Sequence, residues 1–208
     1  SDPDTTGKSM LGTVQKEWFK QQLLDANGVY PVIFWVSSSP WIGEVSSDGW
    51  PGYTYERREL ANFIKDNDVE GIIMLSGDLH MIAIDDGTNS DYADGGGAGF
   101  PVFQAAPLDK WAGIDGNPYS HGAYATPGQF GYVTINDSGG SQIEVILSGR
   151  DSTNSELVTF VATFIVYSGQ VWHVATIGSD ITGDGSLETP FATIQKGIDS
   201  SSDGDTVL

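Results

Sequence analysis

An α/β fold that gives way to antiparallel strands is predicted by three features of the 208 residues. Two helical periods alternate with two short apolar runs in the first third of the chain. From about residue 81 the helical period stops, and strand-like stretches divided by Gly, Asp and Ser turns replace it. The composition agrees. Twenty-seven glycines, roughly twice the usual share, accompany 11% aromatic residues, the mix of a turn-rich globular chain and not of a disordered one.

Leu11, Val14, Trp18, Phe19 and Leu23 recur at spacings of three to four, which predicts an amphipathic helix over 10–26 with Thr13 as its cap and Asn27-Gly28 as its stop. Pro31 to Val36 is a continuous apolar run rich in β-formers, as expected of a strand buried on both faces. A Ser/Gly/Pro/Asp loop covers 37–52, and 54–66 is a second helix with Leu60, Phe63 and Ile64 inward. Val69 to Leu75 is another apolar strand, and Ser76-Gly77-Asp78-Leu79-His80 is the turn leaving it, its glycine permitting a sharp change of direction. Strands are expected at 81–85, 101–105, 129–136, 141–148 and 157–167, antiparallel and able to join the same sheet. The glycine-rich 94–99 lacks the Lys-Ser/Thr and helix of a phosphate cradle and reads as a flexible loop.

Near Gly169 the style changes, dividing 1–168 from 169–208. Trp172 to Ile177 reads as a strand, 178–186 as a turn-dense loop, and Thr189 as an N-cap with Pro190 at the first helical position. Phe191, Ile194 and Ile198 follow at helical spacing, before a turn and a new strand. The chain opens at Ser1 and stops within Thr206-Val207-Leu208, so it reads as an internal fragment of something longer.

Charge and composition remove several function classes. Nine basic against 28 acidic residues give −19, which repels nucleic-acid phosphates and anionic membrane surfaces. With no cysteine, disulfides, thiolate metal sites and cysteine nucleophiles are excluded. No apolar run approaches the roughly 20 residues of a membrane span.

Gly77-Asp78-Leu79-His80 is the sharpest candidate site. A buried strand ends there, and in α/β sheets ligands sit off the carboxyl ends of strands. Aspartate oxygen and histidine nitrogen suit Fe, Mn or Zn, and the oxygen suits Ca. Taken alone, Asp-x-His reads first as a turn capped by Asp78 with a partly exposed His80 beside it, since two ligands do not make a site.

The helix MLGTVQKEWFKQQLL, the strand PVIFWVSSSPW, the loop and helix DGWPGYTYERRELANFIKDN and the strand-turn VEGIIMLSGDLH, in this order, resemble the C-terminal half of the PhoD-like alkaline phosphatases. Those enzymes belong to the calcineurin-like metallophosphoesterases. The resemblance covers roughly 8–167, its most specific parts being Ser38 through Trp41, Asp48 to Arg57 and Leu75 to His80. It implies part of a layered α+β metallophosphoesterase sandwich. It also implies a phosphoester substrate, hydrolysis at a polynuclear metal site with Fe and Ca in the best-known branch, and Asp78 and His80 as metal ligands. Arg57, on the first turn of its helix, would clamp a phosphate bidentately, or else pair with Glu56 or Glu59. Tyr53 would line the substrate pocket or plug its loop onto the core. His121 would be a catalytic or substrate-side residue, or a solvated loop histidine. The other ligands of such sites come from turns that this sequence does not contain, so the resemblance implies an inactive part of a larger enzyme. An isolated half-domain would expose apolar faces and tend to aggregate.

The last forty residues look like the opening of a right-handed parallel β-helix, with Trp172-His173-Val174-Ala175-Thr176, Gly183-Asp184-Gly185-Ser186, Pro190-Phe191-Ala192-Thr193-Ile194-Gln195 and Asp203-Gly204-Asp205-Thr206-Val207 carrying the likeness. There the first helix would cap the solenoid, with Asp180 and Asp184 in turns or holding Ca. His173 is explained by a surface strand position. The combined reading is a secreted metallophosphatase followed by a β-helix module. Its rivals are a non-catalytic adhesive protein whose β-helix binds carbohydrate, and a β-helix acting on acidic polysaccharide.

Overall fold

The computed structural model describes residues 4–43, 49–105, 108–110, 113–114, 118–166, 169–202 and 204–208. They form two compact units, Ser1–Ser138 with Gln142–Phe164, and Gly139–Ser141 with Ile165–Leu208. In the first unit, helix α1 (Gly12–Ala26) precedes strand β1 (Ile33–Ser37), a 3-10 turn at Trp50–Gly52, helix α2 (Thr54–Asp66) and strand β2 (Ile72–Ser76). Then come β3 (Ile82–Asp85), β4 (Val102–Ala105), β5 (Ala123–Tyr124), β6 (Phe130–Asp137), β7 (Gln142–Arg150) and β8 (Glu156–Ile165).

The first five strands make one mixed sheet in the order β1-β2-β4-β3-β5. Strands β1, β2 and β4 run parallel, and β3 is antiparallel to β4 and β5. The predicted α/β opening is present. The later strands do not all join its sheet, because β6, β7 and β8 form a second, three-stranded one.

Side-chain alternation along the strands sorts two apolar layers. Ile72 and Met74 of β2 and Val102 of β4 meet Leu60, Ala61 and Ile64 of α2, together with Trp35, Trp41, Trp50 and Phe100. On the opposite face, a Cβ at Gly149 of β7 would lie 2.2 Å from Ile82 Cγ2, and one at Gly131 of β6 would lie 2.5 Å from Ala105 Cβ. Glycine at those two positions is what lets the sheets close on each other. The layers are therefore helix, sheet, sheet.

Several sequence expectations need correction. Helix α1 begins at Gly12 behind Leu11, with no side-chain cap, so Thr13 lies inside it. Its inward residues are Leu23, Phe19 and Leu11, whereas Val14 and Trp18 are 87% and 58% exposed. The period is helical, but the covered face is narrower than the apolar stripe. Strand β1 is the edge of its sheet and leaves Val36 74% exposed, not buried on both faces. Helix α2 matches its predicted bounds. Of its orphan N-terminal donors, the Thr54 N–H is met from a distance by Asp4 Oδ2 at 2.9 Å, while the buried Glu56 carboxylate accepts from the Ser9 hydroxyl and the Met10 N–H ahead of α1. The glycine-rich 94–99 is a loop, as expected, but a fastened one, with Lys65 Nζ on Asp94 O at 2.7 Å and the Gly97 N–H on Asp91 Oδ2 at 2.6 Å.

The second unit holds β9 (Val171–Trp172), helix α3 (Ile194–Ser200) and β10 (Thr206–Val207). Strands β9 and β10 pair in parallel, which requires the intervening chain to cross over and return. The strand expected over Trp172 to Ile177 is reduced to β9 and a single bridge between Val174 and Phe191. Thr193, not Thr189, caps α3 by accepting from the Lys196 N–H, and Phe191 instead stacks on Trp172 at 5.6 Å. Thr189 serves the preceding turn, donating its hydroxyl to Asp184. Gly169, Gly178 and Gly183 each leave less than 3 Å to a backbone oxygen for any added Cβ, so this unit is built on backbone close approach.

Candidate active site

The exit from β2 lies at the carboxyl edge of the parallel strands, beside the exit from β1, where a Cβ on Gly77 would sit 3.8 Å from Ser38 O. The left-handed conformation at this turn falls on the two candidate residues and not on the glycine: φ is +77° at Asp78 and +49° at His80. Gly77 is not among the left-handed residues, which corrects the role given to it above. The Leu79 N–H donates to Gly77 O at 3.1 Å. An i to i+2 bond across a residue at that φ is a γ-turn of the rarer, strained hand. Such outliers cost about 1–3 kcal/mol and collect at functional sites.

Gln104 holds this turn. Its side chain is fully buried beside Ser76, its register partner across β2 and β4. Ser76 Oγ donates to Gln104 Oε1 at 2.7 Å, and Gln104 Nε2 donates to Gly77 O at 2.6 Å. Apolar and polar patterning did not single out this glutamine as a site residue. The only available signal was a polar residue inside the apolar run 101–105, where buried polar groups need partners.

Asp78 is exposed and His80 half-buried, and neither side chain has a hydrogen-bond or ion-pair partner among the described residues. One oxygen and one nitrogen donor, two residues apart and unengaged, suit a hard or borderline cation. The donor types fit a metal and the donor number does not: among the described residues, no three His, Asp or Glu side chains gather closely enough to hold an ion.

The other predicted residues occupy different places. Arg57 is 7% exposed and pairs with neither Glu56 nor Glu59. Its Nη1 donates to Trp41 O at 2.7 Å and its guanidinium stacks on Tyr92, 3.6 Å from the ring centroid. Among the described residues its Nε has no hydrogen-bond partner. Burial lowers its pKa from the ordinary value, with Tyr92 and Asp4 acting in the opposite sense. Arg57 therefore fixes the chain leaving β1. Tyr53 is half-buried beneath Lys8, whose Nζ lies 4.3 Å from the ring centroid and donates to Gly52 O.

His121 is not brought to the Asp78 turn. Its N–H donates to Ile84 O, so it lies toward the far end of β3 from His80, roughly 15 Å away by strand rise. There its Nε2 is 3.5 Å from Asp86 Oδ2 and its ring 4.9 Å from Phe160. Asp86 is held at about 2, below its ordinary 3.8, first by the Thr88 hydroxyl and then by the Thr88 N–H, Ser120 and His121, against an opposing effect of burial. A depressed carboxylate contributes stability that is present above its unfolded pKa and lost as pH falls through the folded one. A carboxyl NMR titration is expected to give Asp86 a midpoint near 2, little moved by His121→Ala, and a midpoint near 3.8 would contradict this.

The family of PhoD-like phosphatases matches residues 1–146. The chain belongs to the PhoD-like phosphatase family. It is 29% identical over 83 residues to alkaline phosphatase D of Bacillus subtilis (strain 168), a match covering 35% of this chain and 14% of that protein. A solved structure titled "Structure of PhoD" aligns at 18% identity with a TM-score of 0.43, over 73% of this chain and 36% of the other. The family match ends at residue 146, ahead of the stretch Ile165–Leu208 that makes up most of the second unit.

Proposed function

We propose that this chain carries part of the active site of a secreted, metal-dependent phosphoester hydrolase, with Asp78 and His80 as two of its metal donors. The observation that carries this is the strained, unpartnered Asp78–His80 turn at the carboxyl edge of the parallel strands. Family membership supports the reaction class. The match spans 14% of the curated relative's length, so the whole enzyme's activity stays within this proposal, and the missing donors would come from residues outside these 208.

A bound metal would polarise the phosphoryl oxygens and activate water, with Fe and Ca, or Mn or Zn, as its candidates. This chain's own residues have three tasks. Asp78 and His80 present their donors outward, Gln104 fixes the turn that carries them, and Arg57 with Tyr53 holds the neighbouring β1 exit and the start of α2. Arg57 is thereby a positioning residue in this reading, and His121 lies outside it.

The second unit is proposed to open a right-handed parallel β-helix. Support comes from the parallel β9–β10 pair, the Thr193-capped α3 and the glycine close approaches. Asp180 and Asp184 act there as turn acceptors, Asp180 taking the Ala192 and Thr193 N–H groups and Asp184 the Ser186 N–H. The rival reading is a degenerate scaffold whose β-helix binds carbohydrate.

Hydrolysis of a chromogenic phosphate monoester and diester by the full-length protein separates the two. The enzyme reading expects turnover that a chelator abolishes and added metal restores. No turnover with any of Fe, Mn, Zn or Ca supports the scaffold.

A further inference from the structure

We propose that Gln104 is a positioning residue for the Asp78–His80 donor turn, setting the direction of both donors through the Gly77 carbonyl. The inference rests on the reading of that turn as metal-binding. A carbonyl oxygen has two lone pairs, and Gly77 O uses both, one for the Leu79 N–H and one for Gln104 Nε2. The Gly77 carbonyl and the Asp78 nitrogen belong to one planar peptide, so fixing that oxygen fixes the plane from which Asp78 departs at φ +77°. Local support is confined to the Leu79 N–H bond to Gly77 O, since among the described residues neither the Asp78 nor the His80 side chain bonds back to the chain. Strained geometry persists only where surrounding structure over-determines it. The glutamine is itself pre-oriented, because Ser76 Oγ donates to its oxygen and thereby turns its NH2 group toward Gly77.

A glutamine is specifically required. Glutamate keeps the acceptor for Ser76 but sets an oxygen against the Gly77 carbonyl, and leucine fills the space with no polar contact. Both lose the clamp for different reasons, whereas a purely space-filling role would separate them.

The test compares the full-length protein with its Gln104→Leu and Gln104→Glu variants and the double variant Ser76→Ala, Gln104→Leu. The double variant removes both partners of the buried bond together, which is near neutral for stability when shapes match, and so keeps the test open if a single variant folds poorly. Two quantities are read without substrate: amide exchange at Leu79 against Ile73 and Met74 within β2, and Mn2+ broadening of the imidazoles of His80, His121 and His173.

Leu79 is expected to exchange roughly tenfold faster in all three variants, beyond any change at Ile73. His80 is expected to broaden first in the unaltered chain, and to need severalfold more Mn2+ in the variants. Leu79 exchange that is unchanged, or that rises only in step with Ile73, would overturn the proposal and leave Gln104 a core residue. If His80 never broadens preferentially while Leu79 still responds to Gln104, the donor reading fails and the clamp stands.

Discussion

Trp41→Ala is expected to destabilise the first unit by about 3–5 kcal/mol, the range for deleting a buried tryptophan. Trp41 is fully buried and meets Trp35, Trp50, Phe100 and Tyr92 with ring centroids 5.0–5.8 Å away. Its Nε1 donates to Ser90 O at 2.8 Å, so truncation also strips a buried carbonyl of its partner. The backbone oxygen of the same residue holds Arg57, and the alanine variant would loosen that anchor through the cavity beside it. Denaturant unfolding measures the loss. A cost below about 1 kcal/mol would show that the aromatic cluster is not the centre of this core.

Asp85→Ala is the second large effect, expected at about 3–5 kcal/mol, because it leaves four hydrogen-bond donors without their acceptor, each loss costing roughly 1–3 kcal/mol where buried. The carboxylate is wholly buried. Its Oδ1 accepts from the Gly87 and Asn89 N–H groups, and its Oδ2 from Asn89 Nδ2 and the Ser120 N–H. Asn at this position would turn one oxygen into a donor facing donors, so Asp85→Asn is expected to cost nearly as much. The damage should be local in character. Amides of Gly87, Asn89 and Ser120 would exchange faster while the Leu79 turn, at the other end of β3, keeps its geometry. If Asp85→Ala altered Leu79 as strongly as Ser120, the two ends of the sheet would not be independent, and the separation of His121 from the Asp78 turn would lose its meaning.

Local pattern carried the fold some distance. Helix α2 was legible to the residue because Leu60 and Ile64 keep strict helical spacing and the chain breaks cleanly at Gly52 and Asn67. Strand β2 was legible as an apolar run, and the same logic overreached for β1, because a run of apolar residues does not say whether a strand has one neighbour or two. Val36 is exposed for that reason. Sheet partition was not legible either: nothing in 129–167 states that these strands form their own sheet, a fact that depends on Gly131 and Gly149 meeting Ala105 and Ile82 across the chain.

The candidate site divides in the same way. Asp78 and His80 were readable because their chemistry is short-range in sequence. Arg57 was readable as a residue of consequence but not in its contacts, since its partners Trp41 and Tyr92 lie in other segments. Gln104 was invisible, because its meaning arises only from parallel register with Ser76. Asp4 was invisible for a similar reason, capping a helix fifty residues away.

The central claim is that Asp78 and His80 are metal donors of a phosphoester hydrolase. Bound metal and hydrolysis rate, measured together in the full-length protein and in its Asp78→Ala and His80→Ala variants, test it most directly. Loss of a supporting residue at a metal site costs about 10–100-fold, so loss of a donor is expected to lower both quantities by at least ~100-fold while the unfolding midpoint stays near that of the parent. Variants that retain full metal content and turnover would contradict the account and leave the turn a strained surface feature.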